Sequence, residues 1–565
     1  MSDPLLNIGG YLNAVKDRIR DLGGEEVSMR LWRKDPTLWK TDPENQKIIR
    51  GALGWLNAPE RMEKSIDDLR QWPVEVRAAG FRHIVHMGMG GSSLAPLTFQ
   101  RLFSQVPGAL PLTVLDTTDP ATILKVERGV PIAETLFIIA SKSGTTAEPL
   151  AFGEYFYAKV KKLKARQAGE NFVAITDPGT PLAKLAKERG FRRIVPGFED
   201  VGGRYSALSP FGLVPVAMMG IHVDELLARA LGMVRRCGPL VPMMENPGFI
   251  LGAVLGELAL RGRDKLTFIL PDSLEELGLW LEQLLAESTG KEGKGILPVA
   301  GEPLSIPSFY GEDRLFIYFR LPDALEERLE NFVGELQQAG QPVVAIQLEK
   351  PLDLVQEFFR WEVATAVAGA ILKINPFDQP NVQESKDNTN RLLAQVRQGG
   401  KLPEITAAFK EGPLAFYTEE KARNAPDLLK AFLLQGRPGD FFALQAYLPE
   451  EPPTAQALQT IRRQLRDRLS LATTLGYGPR FLHSTGQFHK GGPNTGLFMQ
   501  LIAEDLEDTP IPGAPYTFGL LKQAQALGDW EALRKHGRRV MRIHLGADAS
   551  RGLGALSKLI QQAFK

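Results

Sequence analysis

The sequence predicts an α/β protein built on two doubly wound parallel sheets, with a helical segment before them and an α+β region after them. Three observations carry this expectation. Short apolar runs of strand length recur, each followed by a polar or glycine-rich turn and then by a stretch with helical spacing. The pattern gives way to a helical stretch near 208–262 and then restarts. The chain has 565 residues, more than one ordinary core supports.

The elements follow in order. Residues 1–75 read as helical, with apolar positions three and four apart in "PERMEKSIDDLRQWPVEVRAAG". The first sheet is expected from "FRHIVHMG" (81–88), "PLTVLD" (111–116), "TLFIIA" (135–140) and "NFVAIT" (171–176). The second is expected from "KLTFILP" (265–271), "DRLFIYFRL" (313–321) and "QPVVAIQLE" (341–349). Helices between these runs include "SLEELGLWLEQLLAES" and "DLVQEFFRWEVATAVAGAIL". Strands alternating with helices pair in parallel, and their ligands sit in loops at the strands' carboxyl ends. Past 395 the pattern is less regular. A proline-rich break, "AYLPEEPPTAQ", leads into the basic helix "ALQTIRRQLRDRLSLA", whose charges are expected to form a solvated face. The expected units are 1–75, 76–240, 241–395 and 396–565.

Hydrophobic content of 44% and charged content of 24% are those of a soluble globular protein. A net charge of +1 gives no electrostatic basis for a nucleic-acid or acidic-membrane partner. No signal pattern opens the chain and no apolar run reaches membrane-span length, so a cytoplasmic location is expected. Cys237 is the single cysteine, which rules out an internal disulfide and zinc sites built on cysteine pairs, and it reads as a buried hydrophobe. Without a grouped His/Asp/Glu set, no metal is expected.

Two strand-to-helix turns carry anion chemistry. "GMGGSSLAP" (88–96) lets backbone approach a ligand ahead of a helix N-terminus, with Gly91 and Ser92 as candidate contacts. Its spacing matches neither a dinucleotide fingerprint nor a nucleotide P-loop. "SKSGTTAEP" (141–149) places the hydroxyls of Ser141, Ser143, Thr145 and Thr146 and the ammonium of Lys142 around one helix start. A capping box from Thr145 or Thr146 to Glu148 would explain one hydroxyl but not four.

Together these turns resemble the phosphate loop of the sugar-isomerase (SIS) domain and the first signature of phosphoglucose isomerases. "VGGRYSALSPFGLVPVA" (201–217) resembles the family's second signature and points to Arg204. "LEQLLAESTGKEGKGILP" (281–298) is similar to the segment in which a Gln and a Glu face the sugar, here Gln283 and Glu287. Their spacing of four puts them on one helical face. "INPFDQPNVQESK" (374–386) resembles the last signature, with Lys386 as its catalytic lysine and Gln379 at the position that closes over the phosphate. The implied fold is two SIS-type domains.

The family's ring-opening histidine lies between the glutamate and lysine segments, and none of this chain's seven histidines falls between 287 and 386. "RFLHSTGQFHKGGPNTG" (480–496) instead contains His483 in "LHSTGQ", which resembles the context of that histidine, with His489 as the alternative donor. This order resembles the isomerase part of transaldolase–phosphoglucose isomerase fusion proteins. His83 and His86, on opposite faces of one strand, read as packing residues, and His222, His536 and His544 show no ligand spacing.

The resemblance implies glucose-6-phosphate isomerase activity, with no redox or metal cofactor. The hydroxyl loop with Ser92 would anchor the phosphate. His483 and Lys386 would handle ring-oxygen and hydroxyl protons, Glu287 would move the carbon-bound proton, and Arg204 would face the enediolate. The alternatives are a dual phosphoglucose/phosphomannose isomerase and a non-catalytic sugar-phosphate-binding SIS protein. The resemblance also implies a homodimer, while the late position of His483 allows a site completed within one chain.

Overall fold

The computed structural model describes residues 5–103, 109–321 and 327–565. Five short α-helices run through residues 12–78, as their apolar spacing dictates. The segment opens, however, with a strand, β1 (Leu5–Asn7), which pairs antiparallel with the edge of the second sheet. Three residues are too few to show a two-residue period, so sequence periodicity misses it.

The first sheet contains β2 (His83–Met87), β3 (Leu112–Leu115), β4 (Thr135–Ala140), β5 (Phe172–Thr176) and β6 (Arg193–Pro196) in the order β3-β2-β4-β5-β6, all parallel. β4 and β5 are buried along their whole length, which is why they read as continuous apolar runs. The chain leaves β2 toward one side of the sheet and returns to the other, so the crevice between β2 and β4 is a topological switch point. The loops leaving those two strands are the two anion-type turns. β6 has four half-buried or exposed residues at the sheet edge and shows no apolar run.

The second sheet contains β7 (Lys265–Ile269), β8 (Leu297–Val299), β9 (Arg314–Arg320) and β10 (Val343–Gln347) in the order β1-β10-β9-β7-β8, with only β1 antiparallel. A third sheet occupies the C-terminal region, with β11 (Phe409–Glu411), β12 (Leu414–Tyr417), β13 (Phe441–Tyr447), β14 (Ala472–Tyr477), β15 (Gly496–Ile502) and β16 (Arg539–His544). Its order is β11-β12-β16-β15-β13-β14, with β13 to β16 parallel and the β11–β12 hairpin forming an antiparallel edge. Buried Thr473, Thr474 and Arg542 interrupt the apolar runs of β14 and β16, so those strands are hard to see in sequence.

The basic helix, Pro452–Leu469, departs from expectation. Arg462 and Arg466, four residues apart on one face, are buried rather than solvated. Arg462 donates to the carbonyls of Ala300, Gly301 and Thr473, and Arg466 to that of Pro303. The carbonyls of 300–303 follow β8, and buried carbonyls need donors. Beside them Glu302 accepts from Arg314 Nη1 at 2.9 Å and from Thr473 N and Oγ1 at 2.7 Å each. Guanidinium groups thus fasten the third sheet to the second.

Two single residues behave as their sequence suggests. Cys237 is buried, which pushes its thiol up to about 12. His86 is fully buried, and its Nε2 donates to the Ser92 carbonyl at 2.6 Å, bracing the first turn. Burial lowers its pKa to about 4.

Glu302→Ala leaves the buried Arg314 guanidinium without its carboxylate. The expected loss is about 3–5 kcal/mol, read as a lower midpoint in urea denaturation, with Glu302→Gln losing less.

Candidate active site

The loop 141–146 leaves β4 and enters the helix Ala147–Lys164. Ser141 is buried and its Oγ donates to Thr146 Oγ1 at 3.0 Å, while the hydroxyls of Ser143 and Thr145 share a bond of 2.9 Å. Thr146 occupies the N-cap position but makes no capping bond, so its hydroxyl is not spent on the helix's first N–H groups. Ser143, Thr145 and Thr146 line a cavity of about 340 Å³ together with Glu148, Lys386, His483 and Gln525. A larger cavity of about 850 Å³, lined by Val15 and Arg229 among others, holds none of these residues.

Lys142 does not join this group. Its ammonium is held by the Asp177 carboxylate and by the carbonyls of Phe198 (3.0 Å) and Glu199 (3.1 Å). A charged partner supported by two further acceptors holds the side chain off the cavity, so Lys142 anchors the loop from behind instead of supplying charge within it.

The glycine turn is a packing junction. Gly90 has φ +54°, and a Cβ there would lie 2.9 Å from both Cβ and the carbonyl oxygen of His483 and 3.0 Å from Gln283 Nε2. A Cβ on Gly91 would lie 2.1 Å from the Gly203 carbonyl oxygen. The missing side chains let the first sheet, the glutamate helix, the arginine turn and the histidine segment meet. Gly91 and Ser92 sit at that junction and are not among the residues lining the 340 Å³ cavity.

The helix Leu277–Thr289 presents Gln283 and Glu287 on one face. Gln283 Nε2 donates to Glu287 Oε2 at 3.1 Å and to the His483 carbonyl at 2.9 Å. Arg204, buried in the turn Gly203–Tyr205, brings Nη1 to 3.7 Å from Glu287 Oε2. It also donates to Ser288 Oγ (2.8 Å), Gln379 Oε1 (2.9 Å) and the carbonyls of Pro376 (2.7 Å) and Asp378 (2.9 Å). Gln379 therefore stands beside Arg204, and this group, with Gln283 and Glu287, lies next to the His483 segment without lining the 340 Å³ cavity itself. Buried Lys291 grips the same turn through Asn375 O (2.7 Å) and Asp378 Oδ1 (2.6 Å). Burial first, then the neighbouring Arg204 charge, lowers the Lys291 pKa to about 8.

His483 Nε2 lies 3.0 Å from Glu148 Oε1, in the same chain. Burial alone would raise the Glu148 pKa, but His483 and then Lys386 outweigh it and hold the carboxyl below its ordinary range. The histidine segment is bolted down on three sides. Arg480 makes two bonds of 2.8 Å to the Asp116 carboxylate, and Gln487 accepts from Asn381 N at 2.9 Å and donates to Gly290 O at 2.9 Å. His489 is excluded as the alternative donor, because its ring is buried against Phe441, Phe481 and Phe498, and burial lowers its pKa far below the usual value. His536 has an acid partner that its sequence neighbours do not reveal, with Nε2 2.6 Å from Glu384 Oε2 on the helix Val382–Arg397. Among the described residues no group of three or more His, Cys, Asp or Glu side chains could hold a metal ion.

Sequence reasoning missed three contributors. Glu148 lies inside the hydroxyl motif but reads there as a capping residue. Lys291 sits in a lysine-rich loop with no sign of which amine is buried. Gln525 lies far along the chain in an ordinary helix.

The family model for phosphoglucose isomerase matches residues 59–296. Glucose-6-phosphate isomerase of Carboxydothermus hydrogenoformans is 30% identical over 423 residues, covering 65% of this chain and 90% of that protein. The chain belongs to the phosphoglucose isomerase family. A second family member, from Thermosynechococcus vestitus, is 28% identical over 71% of this chain and 81% of its own length. Among solved structures, a hypothetical protein of Thermus thermophilus aligns with TM-score 0.58 at 25% identity, covering 71% of this chain and all of that one. A glucose-6-phosphate isomerase of Chlamydia trachomatis shares the fold with TM-score 0.53 at 20% identity, covering 66% of this chain and 78% of its own. No helix among the described residues is long and apolar enough to cross a membrane.

Gly90→Ala drives a methyl group into His483 and Gln283 in a left-handed backbone position. The expected cost is about 1–3 kcal/mol, seen as a lower Tm by calorimetry. Gly203→Ala, where a Cβ meets nothing within 4 Å, is the control that leaves Tm unchanged.

Proposed function

We propose that the chain interconverts glucose 6-phosphate and fructose 6-phosphate through a cis-enediolate. The observation that carries this reading is the buried Glu287 carboxylate, flanked by Arg204 at 3.7 Å and bridged by Gln283 to the backbone of the His483 segment. One base beside one guanidinium suits a proton moved between adjacent carbons on a single face. Glu287 takes the proton from C2 of the aldose and returns it to C1, which makes the enediolate cis. Arg204 stabilises the oxygen that gains charge, and it is already fixed by four other acceptors, so little reorganisation is needed as the charge develops.

The remaining functions fall to the cavity. Ser143, Thr145 and Thr146, with Ser141 beneath them and a helix N-terminus behind, bind the phosphate, and energy from that remote group orients the reacting carbons. His483, paired with Glu148, and Lys386 exchange protons with the ring oxygen and the C1 and C2 hydroxyls. All steps are proton transfers, so no electron acceptor is needed. Unit 76–240 supplies the phosphate loop and Arg204, unit 241–395 supplies Glu287 and Lys386, and unit 396–565 supplies His483. Because His483 and Glu287 belong to one chain, a homodimer would carry two complete sites. We assign the enzyme to the cytoplasm.

Glu287→Gln should lower kcat by about 10²–10⁴-fold in a coupled assay of glucose 6-phosphate formation, with fructose 6-phosphate binding retained in equilibrium dialysis. Retained turnover would overturn the reading and leave a sugar-phosphate-binding protein. Ser143→Ala combined with Thr145→Val should act mainly on KM, raising it by about tenfold or more.

A further inference from the structure

The cavity has a back wall that the isomerase reading does not use. Gln525 projects from the helix Phe518–Lys535 of the C-terminal region, and its Nε2 donates to Glu148 Oε1 at 2.7 Å. Its Oε1 accepts from Thr118 Oγ1, in the segment after β3, at 2.8 Å. Thr118, Gln525 and Glu148 are each no more than 4% exposed. The Glu148 carboxylate, which can only accept, decides which way the amide faces, and the Thr118 hydroxyl, which can donate or accept, donates to the amide oxygen. The flipped amide would set oxygen against oxygen.

One carboxylate oxygen therefore receives two donors, His483 Nε2 at 3.0 Å and Gln525 Nε2 at 2.7 Å. We propose that Thr118 and Gln525 are positioning residues, which fix the Glu148 carboxylate and through it the orientation of the His483 imidazole for ring opening. The inference rests on the isomerase reading. A carboxylate held in this way keeps an imidazole in one tautomer and one orientation and steadies its protonated form, as the acid of a hydrolase triad does.

The charged and polar groups that face Glu148 come from three directions. They are His483 from the turn Arg480–His483, Lys386 from the helix Val382–Arg397, and Gln525 from the C-terminal region. The neighbouring Lys522 on the Gln525 helix is bound to Asp119 at 2.8 Å and to Asp505, so it does not replace the amide. Hydrogen bonds to the ionised form lower a carboxyl pKa, and removing the Gln525 donor raises it. The acid limb of the pH–rate profile then moves to higher pH, because Glu148 accepts a proton earlier as pH falls.

The test uses the full-length enzyme and its kcat, KM and pH profile for fructose 6-phosphate. Gln525→Leu and Thr118→Val are expected to lower kcat by about tenfold or more with KM within about twofold, and to move the acid limb upward. Thr118→Ser keeps the hydroxyl and is expected to restore the wild-type profile, which loss of packing alone would not predict. Thr118→Val preserves side-chain shape, so it carries the test if Gln525→Leu fails to fold. Folded variants with wild-type kcat and an unmoved acid limb would overturn the inference while leaving the isomerase reading intact. Absence of Glu287-dependent isomerisation in the wild-type enzyme would instead overturn the reading beneath it.

Discussion

Glu148 is a carboxylate taken almost wholly out of water, and much of the site follows from what keeps it ionised there. Desolvation of an isolated charge is costly enough that an unpartnered carboxyl would take up a proton instead. Its partners are His483, Gln525 and Lys386, and all three lie beyond residue 380. The hydroxyl loop at the first sheet therefore meets its partners only when the C-terminal region is docked over it. That docking is itself enforced by charge, through the paired bonds from Arg480 to Asp116 and the burial of Arg462 and Arg466 against the carbonyls after β8.

The surroundings of Glu287 are organised by a different device. Arg204 and Lys291 both bind the turn 375–378, and each uses backbone carbonyls as acceptors. Two buried cations share one short stretch of chain, and Glu287 lies 3.7 Å from Arg204. Carbonyl dipoles balance part of the positive charge without neutralising it, so Arg204 keeps its charge while its position is set by five contacts. Gly90 and Gly91 make the arrangement sterically feasible, since a methyl group at either would hold these segments apart.

The C-terminal sheet explains how the histidine can follow the lysine motif in sequence. β14 ends at Tyr477, and the chain passes through Arg480–His483 into the short helix Gly486–Gly491 before re-entering the sheet as β15. His483 thus sits on a connection at the carboxyl end of a parallel strand, the same kind of place that holds the hydroxyl loop in the first sheet. The 340 Å³ cavity lies where these two loops meet.

The two α/β units, most of their strands, the hydroxyl-rich strand-to-helix turn and the helical pairing of Gln283 with Glu287 were legible in the amino-acid sequence. Each of these is local, being written in periodicity, in turn residues or in spacing along one element. The rest was settled by tertiary contacts. They turned Lys142 toward Asp177, buried Arg462 and Arg466 in a helix that reads as solvated, and enclosed His489 in aromatic rings. They also gave Glu148 to His483 instead of to a helix cap, and brought Gln525 to the same oxygen. The cause is common to all of them. A charged or polar side chain takes its role from the partners that replace its water, and those partners lie on other elements of the fold.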